Sequence, residues 1–177
     1  GIGVDNIAVE AASAAGVVVM NTPFGNAVTT AEHAISMICS LAREITIADR
    51  STQAGKWEKS RFMGTELTGK NLGIVGCGNI GSIVADRAQG LKMRVLAFDP
   101  YLTEERATEL GVRKVDEETL FSQSDFITLH TPLTESTKGL VNADSIAKMK
   151  KGVRIINCAR GGLIVETDLK AALENGH

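Results

Sequence analysis

Three glycines at fixed spacing, Gly76, Gly78 and Gly81, form a G-x-G-x-x-G run after the apolar stretch 72–75 and at the head of a helical pattern. Each has a separable role in holding a phosphate. The first permits a tight turn, the second lets the backbone approach a pyrophosphate, and the third lets helix and strand pack closely. The helix that follows presents unpaired N–H groups and its positive dipole end to the anion. A tight turn without any ligand would use the same glycines, so the context decides. The next apolar run ends in Asp99, 18 residues after Gly81. A carboxylate there accepts both hydroxyls of an adenosine ribose and repels a 2′-phosphate, which predicts NAD rather than NADP. The competing role for Asp99 is a cap or turn residue before Pro100.

Two further runs carry side chains suited to a site. His130-Thr131-Pro132 follows one apolar run, and Asn157-Cys158-Ala159-Arg160-Gly161-Gly162 follows another. In open α/β sheets, ligands bind beyond the carboxyl ends of the strands. Thr131 offers a hydroxyl there, Pro132 stiffens the turn, and Ala159 with the glycines lets backbone approach a ring. Arg160 is a fixed cation able to hold a carboxylate bidentately and polarise a neighbouring carbonyl. His130 reads equally as a hydrogen-bonded strand-end histidine or as a wall of the cofactor pocket. His33 lies in a helical pattern with no ionisable partner and reads as structural. Cys77 and Cys158 read as small packing residues, and Trp57 as a packing anchor.

The elements that must position these residues alternate in period. Residues 17–20 form a β-branched run closed by Asn21-Thr22-Pro23, which predicts a strand. A helix is predicted from 26 to 54, with Ile35, Ile38, Leu41, Ile45 and Ala48 on its buried stripe and Thr29 and Glu32 in a capping box. Residues 55–69 lack periodicity and read as a linker or arm. Strands are then predicted at 72–75, 94–98, 112–115, 126–129 and 153–156. Helices are predicted at 79–91, 104–110, 117–121, 143–149 and 166–174. Apolar strands separated by helices specify βαβ units, and hence an α/β, doubly wound parallel sheet of the Rossmann type.

Composition narrows the function. The 177 residues are 44% hydrophobic and 23% charged, enough for one compact domain. Nineteen Lys and Arg against 21 Asp and Glu give a net charge of −2, which leaves no basic excess for a nucleic-acid partner. Cys39, Cys77 and Cys158 are odd in number and widely spaced, as suits a reducing cytoplasmic setting rather than disulfides or a metal. No apolar run approaches the ~18 residues of a membrane span. The chain opens Gly1-Ile2-Gly3 without Met and stops at Asn175-Gly176-His177, where a helix should hand on to a strand. A piece of a longer protein is therefore expected.

The motifs together resemble a known family. Gly3-Val4-Asp5-Asn6, Met20-Asn21-Thr22-Pro23-Phe24-Gly25-Asn26, Gly55-Lys56-Trp57-Glu58 and Phe62-Met63-Gly64-Thr65-Glu66-Leu67 carry the likeness, with the 76–81 turn, His130-Thr131-Pro132-Leu133 and the Asn157 to Gly162 run. They are similar, in order and over essentially the whole chain, to the D-isomer-specific 2-hydroxyacid dehydrogenases, and within these to the phosphoglycerate branch. The resemblance implies NAD-dependent oxidation of a phosphorylated 2-hydroxy acid, 3-phospho-D-glycerate, to 3-phosphohydroxypyruvate on the route to serine. It implies cofactor contacts for Asn79, Ile80, Asp99, Thr131, Ala159, Arg160 and Gly161, with Arg160 also the catalytic arginine. It implies a dimer arm around Trp57, with Lys56, Lys59 and Arg61 available to a neighbouring subunit's phosphate site.

The family's acid/base histidine and its glutamate are expected beyond residue 177, since His177 lies outside any matching motif. A chain lacking that pair should bind NAD but turn over little. Val165 stands where the family usually has Asp or Asn, which forfeits a helix cap. The expected division is 1–25 for the end of a substrate lobe and hinge, 26–70 for a long helix plus arm, and 71–177 for the NAD-binding unit. Two other activities share these motifs: a sister glyoxylate or hydroxypyruvate reductase, and a non-catalytic NAD-sensing protein like the C-terminal-binding-protein corepressors. The absence of basic or repeat recruitment features weighs against the second.

Overall fold

A computed structural model describes residues 2–177, so Gly1 lies outside the described residues. Helices α1 (Val9–Ala14), α2 (Ala27–Arg43) and α3 (Ile45–Gln53) precede the sheet. There follow β1 (Asn71–Val75), α4 (Asn79–Gly90), β2 (Arg94–Phe98), α5 (Glu104–Glu109), β3 (Arg113–Lys114), α6 (Glu117–Gln123), β4 (Phe126–Leu129), α7 (Ala143–Lys148), β5 (Arg154–Asn157) and α8 (Glu166–Asn175). The strands run parallel in the order β3-β2-β1-β4-β5, with Ile74 opposite both Ala97 and Thr128. The chain order reverses at β1, so the crevice for a ligand lies beyond the ends of β1 and β4. This is the doubly wound α/β fold expected.

Strand alternation divides the core into two layers. Leu72 and Ile74 pack with Ala34, Ile38, Val84 and Ala88, under α2 and α4. Val75, Ile127 and Leu129 face Leu120, Phe121 and Ile146, under α6 and α7. The short helices on that side are capped by their own sequence. The Asp116 carboxylate accepts from the Thr119 N–H at 2.7 Å, and Asn142 and Ser145 form a reciprocal capping box at the head of α7.

The region before the sheet departs from expectation in five ways. The 26–54 helix breaks at Glu44, whose φ of 55° is left-handed. The cause is a competing donor. The Ala42 carbonyl, which a continuous helix would offer to residue 46, accepts instead from the Thr65 N–H at 2.7 Å. The buried stripe of α2 is Ala27, Ala31, Ala34, Ile38 and Ala42, whereas Leu41 and Ile45 are exposed. Small residues bring α2 against α4 around Ile38, and Leu41 and Ile45 turn outward. Thr29 lies inside α2, whose N-cap Asn26 makes no side-chain cap, so the capping box does not form. Residues 17–20 pair with no strand among the described residues, and Val18 and Met20 are exposed. Val9–Ala14, not anticipated, is helical.

Candidate functional site

The glycine-rich turn forms as its spacing requires. Gly76 has a φ of 88°, and a Cβ on it would meet the His130 carbonyl at 2.8 Å. Its N–H donates to the Phe98 carbonyl at 2.9 Å, while the His130 N–H donates to the Val75 carbonyl at 2.8 Å. The turn is thereby tied to both neighbouring strands. A Cβ on Gly81 would overlap the Gly76 carbonyl oxygen, so the helix can approach the strand this closely only with glycine. A Cβ on Gly78, by contrast, would meet nothing within 4 Å. No side chain caps the first turn of α4. Unencumbered backbone at Gly78 and free helix N–H groups make a cradle that fits a pyrophosphate.

Asp99 ends β2 beside this turn. Its Oδ2 accepts from the Cys77 N–H and its Oδ1 from the Tyr101 N–H, each at 2.8 Å. The residue thus performs the turn role weighed for it. Each oxygen keeps a further lone pair, so the carboxylate has acceptor capacity left for a ribose.

On the other side of the crevice, Asn157 shapes the loop after β5. Its Oδ1 accepts from the Ala159 N–H at 3.0 Å and its Nδ2 donates to the Arg160 carbonyl at 2.9 Å. Buried Leu163 anchors the following turn. Arg160 is therefore displayed from a braced loop. Its Nη1 donates to the Ala159 carbonyl and its Nη2 to Asp5 Oδ1, both at 3.0 Å. Two of five guanidinium donors are so engaged, one of them by the Asp5 carboxylate.

A cavity of about 710 Å³ joins these parts. Among the expected residues, Asn79, Ile80, His130, Thr131, Pro132, Ala159 and Arg160 line it. Gly76, Gly78 and Gly81, which form the turn, stand outside the lining, as do Asp99 and Gly161. Asp5, Asn6, Asn26 and Thr30 also line it and were not singled out as site residues. Asn6 and Asn26 sit within the motif runs, but their positions depend on how 2–6 and the head of α2 fold against the sheet. Thr30 lies one turn into α2, and a helical threonine carries no sequence signal of its own.

One histidine and two cysteines in and beside the cavity are held in their neutral states. The His130 Nε2 lies 2.9 Å from the Thr128 hydroxyl, and burial pushes the imidazole from 6.5 down to about 4. It is a neutral hydrogen-bonding wall at physiological pH. Burial, aided by the Asp99 charge, pushes the Cys77 thiol up to about 11. Burial also raises Cys158. Both cysteines behave as packing residues, as expected, because a thiol is reactive only as thiolate.

Other expectations fall away from the cavity. Trp57 is 85% exposed, so it anchors no packed core among the described residues. A tryptophan in a segment without a buried face cannot find a core. Arg61 pairs with Glu58 at 3.1 Å, and His33 is exposed on α2. Val165 precedes α8 with no side-chain cap, as its type implied. Among the described residues no metal-ligand cluster occurs, and no helix is long and apolar enough to cross a membrane.

Residues 35–177 match the family described as D-isomer specific 2-hydroxyacid dehydrogenase, NAD binding domain. The whole chain is 54% identical to D-3-phosphoglycerate dehydrogenase of Bacillus subtilis, covering 34% of that protein. The apo-structure of D-lactate dehydrogenase from Escherichia coli superposes with a TM-score of 0.91 at 39% identity, over 99% of this chain and 55% of that one. D-lactate dehydrogenase from Aquifex aeolicus, complexed with NAD and lactic acid, superposes with a TM-score of 0.87 at 32% identity, over 99% and 53%. The chain thus spans about a third of its curated relatives and about half of these solved structures.

Proposed function

The chain belongs to the D-isomer-specific 2-hydroxyacid dehydrogenases, through their NAD-binding domain, and on that premise we propose that it is the cofactor-holding part of a phosphoglycerate dehydrogenase. One observation carries the reading: a single cavity brings the head of α4, at Asn79 and Ile80, together with Arg160. Identity to the Bacillus subtilis phosphoglycerate enzyme, 54%, exceeds the 39% shared with the Escherichia coli lactate enzyme, which supports the phosphoglycerate branch over a sister activity.

In this reading the Gly76–Gly81 turn and the first N–H groups of α4 hold the pyrophosphate, and Asp99 holds the adenosine ribose. Thr131, Pro132, Ala159 and Gly161 flank the cofactor. Bound NAD supplies the hydride acceptor for C2 of the hydroxy acid. Arg160 grips the α-carboxylate of 3-phospho-D-glycerate and orients the hydroxyl-bearing carbon. The hydroxyl proton needs an acceptor that titrates near neutrality, and His130, held near 4, is unsuited to that task. A histidine–glutamate pair outside these residues, as the family resemblance implies, is proposed for it. The piece by itself then binds NAD and turns over little.

The proposal extends to organisation. Residues 1–25 end a substrate lobe, 26–70 form α2, α3 and the arm, and 71–177 form the NAD-binding unit. The arm, with Trp57 85% and Met63 79% exposed, serves a homodimer. The three free cysteines suit a cytoplasmic protein of serine biosynthesis.

Calorimetric titration of the chain with NAD and NADP tests the reading. NAD is expected to bind more tightly, and Asp99→Ala to weaken it. NADP binding as tightly as NAD, or NAD affinity unchanged in Asp99→Ala, overturns the ribose assignment. NADH formation by the 177 residues at the rate of a full-length enzyme overturns the division of labour.

A further inference from the structure

The contact between Asp5 and Arg160 stands apart from every other ion pair among the described residues. It joins positions 155 apart in sequence, whereas the next widest pair, Asp125 with Lys150, spans 25. It is also the contact that seats 2–6 against the loop after β5. Gly3 lies so close to the guanidinium that a Cβ there would overlap Arg160 Nη2 and stand 2.7 Å from Asp5 Oδ1. The Asn21 amide secures the same segment by donating to the Ile2 carbonyl at 3.0 Å. Gly3, Asp5 and Arg160 all line the one cavity.

Arg160 is thus already gripped by a carboxylate of this chain, at the position from which it would grip a carboxylate ligand. We propose that Asp5 is a resident competitor for Arg160, and that a carboxylate ligand binds by exchanging with it. This rests on the reading of Arg160 as the carboxylate grip. Three properties make the exchange feasible. The contact uses only one Asp5 oxygen and one guanidinium nitrogen, so a bidentate ligand makes the better-matched partner. The two side chains remain 69% and 41% exposed, and exposed ion pairs are weak enough to be displaced. Hydrogen bonding to Arg160 holds the Asp5 carboxyl below its ordinary range, so it competes in its charged form at neutral pH. Exchange frees Asp5 from the loop, which couples carboxylate binding to the placement of 2–6 and sets a threshold that favours ligands able to use both arms of the arginine.

Oxalate, a small dicarboxylate, is the probe, titrated calorimetrically into the chain without NAD. Removing a competitor as weak as an exposed ion pair should tighten oxalate binding about two- to sixfold in Asp5→Asn and Asp5→Ala. The gain should vanish when Arg160→Lys is added, because lysine lacks the planar fork. Oxalate binding that is unchanged or weaker in both Asp5 variants overturns the proposal, as does absence of binding in all of them. An equal gain in the Arg160→Lys background overturns it too. NAD titration run in parallel keeps the two readings apart. NAD binding without an Asp5 effect removes only the competitor role, whereas oxalate exchange without NAD binding removes only the cofactor assignment.

Discussion

Replacing His130 with Gln should flatten the acid side of the stability profile. Burial holds the folded imidazole near 4 instead of 6.5. Between those values the unfolded chain takes up a proton that the folded chain refuses. Stability therefore falls as pH falls. Working the two pKa values through linkage gives a loss of about 2 kcal/mol between pH 7 and pH 5 from this group alone. Glutamine keeps a polar group opposite the Thr128 hydroxyl but does not titrate. The assay is urea unfolding of both proteins at pH 7, 6 and 5. Carboxylates held low in the fold, such as Asp116 and Asp125, also cost stability on acidification, but they titrate alike in both proteins and cancel in the difference. His130→Gln should lose about 2 kcal/mol less than the parent over that range. Parallel pH profiles, or a proton-resonance midpoint for His130 near 6.5, would refute the reasoning.

The remaining predictions separate packing from ligand binding. Gly81→Ala should lower unfolding stability by about 1–3 kcal/mol, since its methyl overlaps the Gly76 carbonyl oxygen. Gly78→Ala should stay within about 0.5 kcal/mol in the same urea assay yet weaken NAD about tenfold by calorimetry, because its methyl enters open space in the cradle. Val165→Thr should stabilise by about 0.5–1 kcal/mol, seen as a higher urea midpoint, by supplying the missing cap of α8. Ala34→Leu should cost about 1–3 kcal/mol by forcing apart α2 and α4, and a melting temperature that does not fall would show the seam to be loose.

The parts of the fold legible in sequence are those fixed by local chemistry. The runs 94–98 and 126–129 match β2 and β4 because β-branched and aliphatic residues buried on both sheet faces leave continuous apolar stretches. The glycine turn was equally legible, since its geometry is a property of its own backbone. The break at Glu44 was not. Its cause is the Thr65 N–H, contributed from 23 residues beyond Ala42, and nothing in the helical stripe announces that donor. The alanine stripe was missed for a related reason. Hydrophobic periodicity favours large aliphatics, but the α2–α4 seam selects for close approach, and Leu41 and Ile45 are left outside.

The site divides along the same line, and the division has a physical consequence. Its rigid wall, from the Gly76 turn to His130, is held by backbone hydrogen bonds to β1 and β2, and its residues could be named from motif and strand ends. Its other wall, residues 2–6, was legible only as a motif. It is held by the Asn21 amide and by the exposed Asp5–Arg160 pair, and each contact joins residues distant in sequence. Backbone bonds inside a sheet open only with the fold, whereas exposed ion pairs yield to salt and to competing ions. Cofactor affinity should therefore track the stability of the domain, and carboxylate affinity the strength of one surface contact. A cavity built this way pairs one fixed wall with one exchangeable wall, so the proposed cofactor and carboxylate sites should respond to different perturbations.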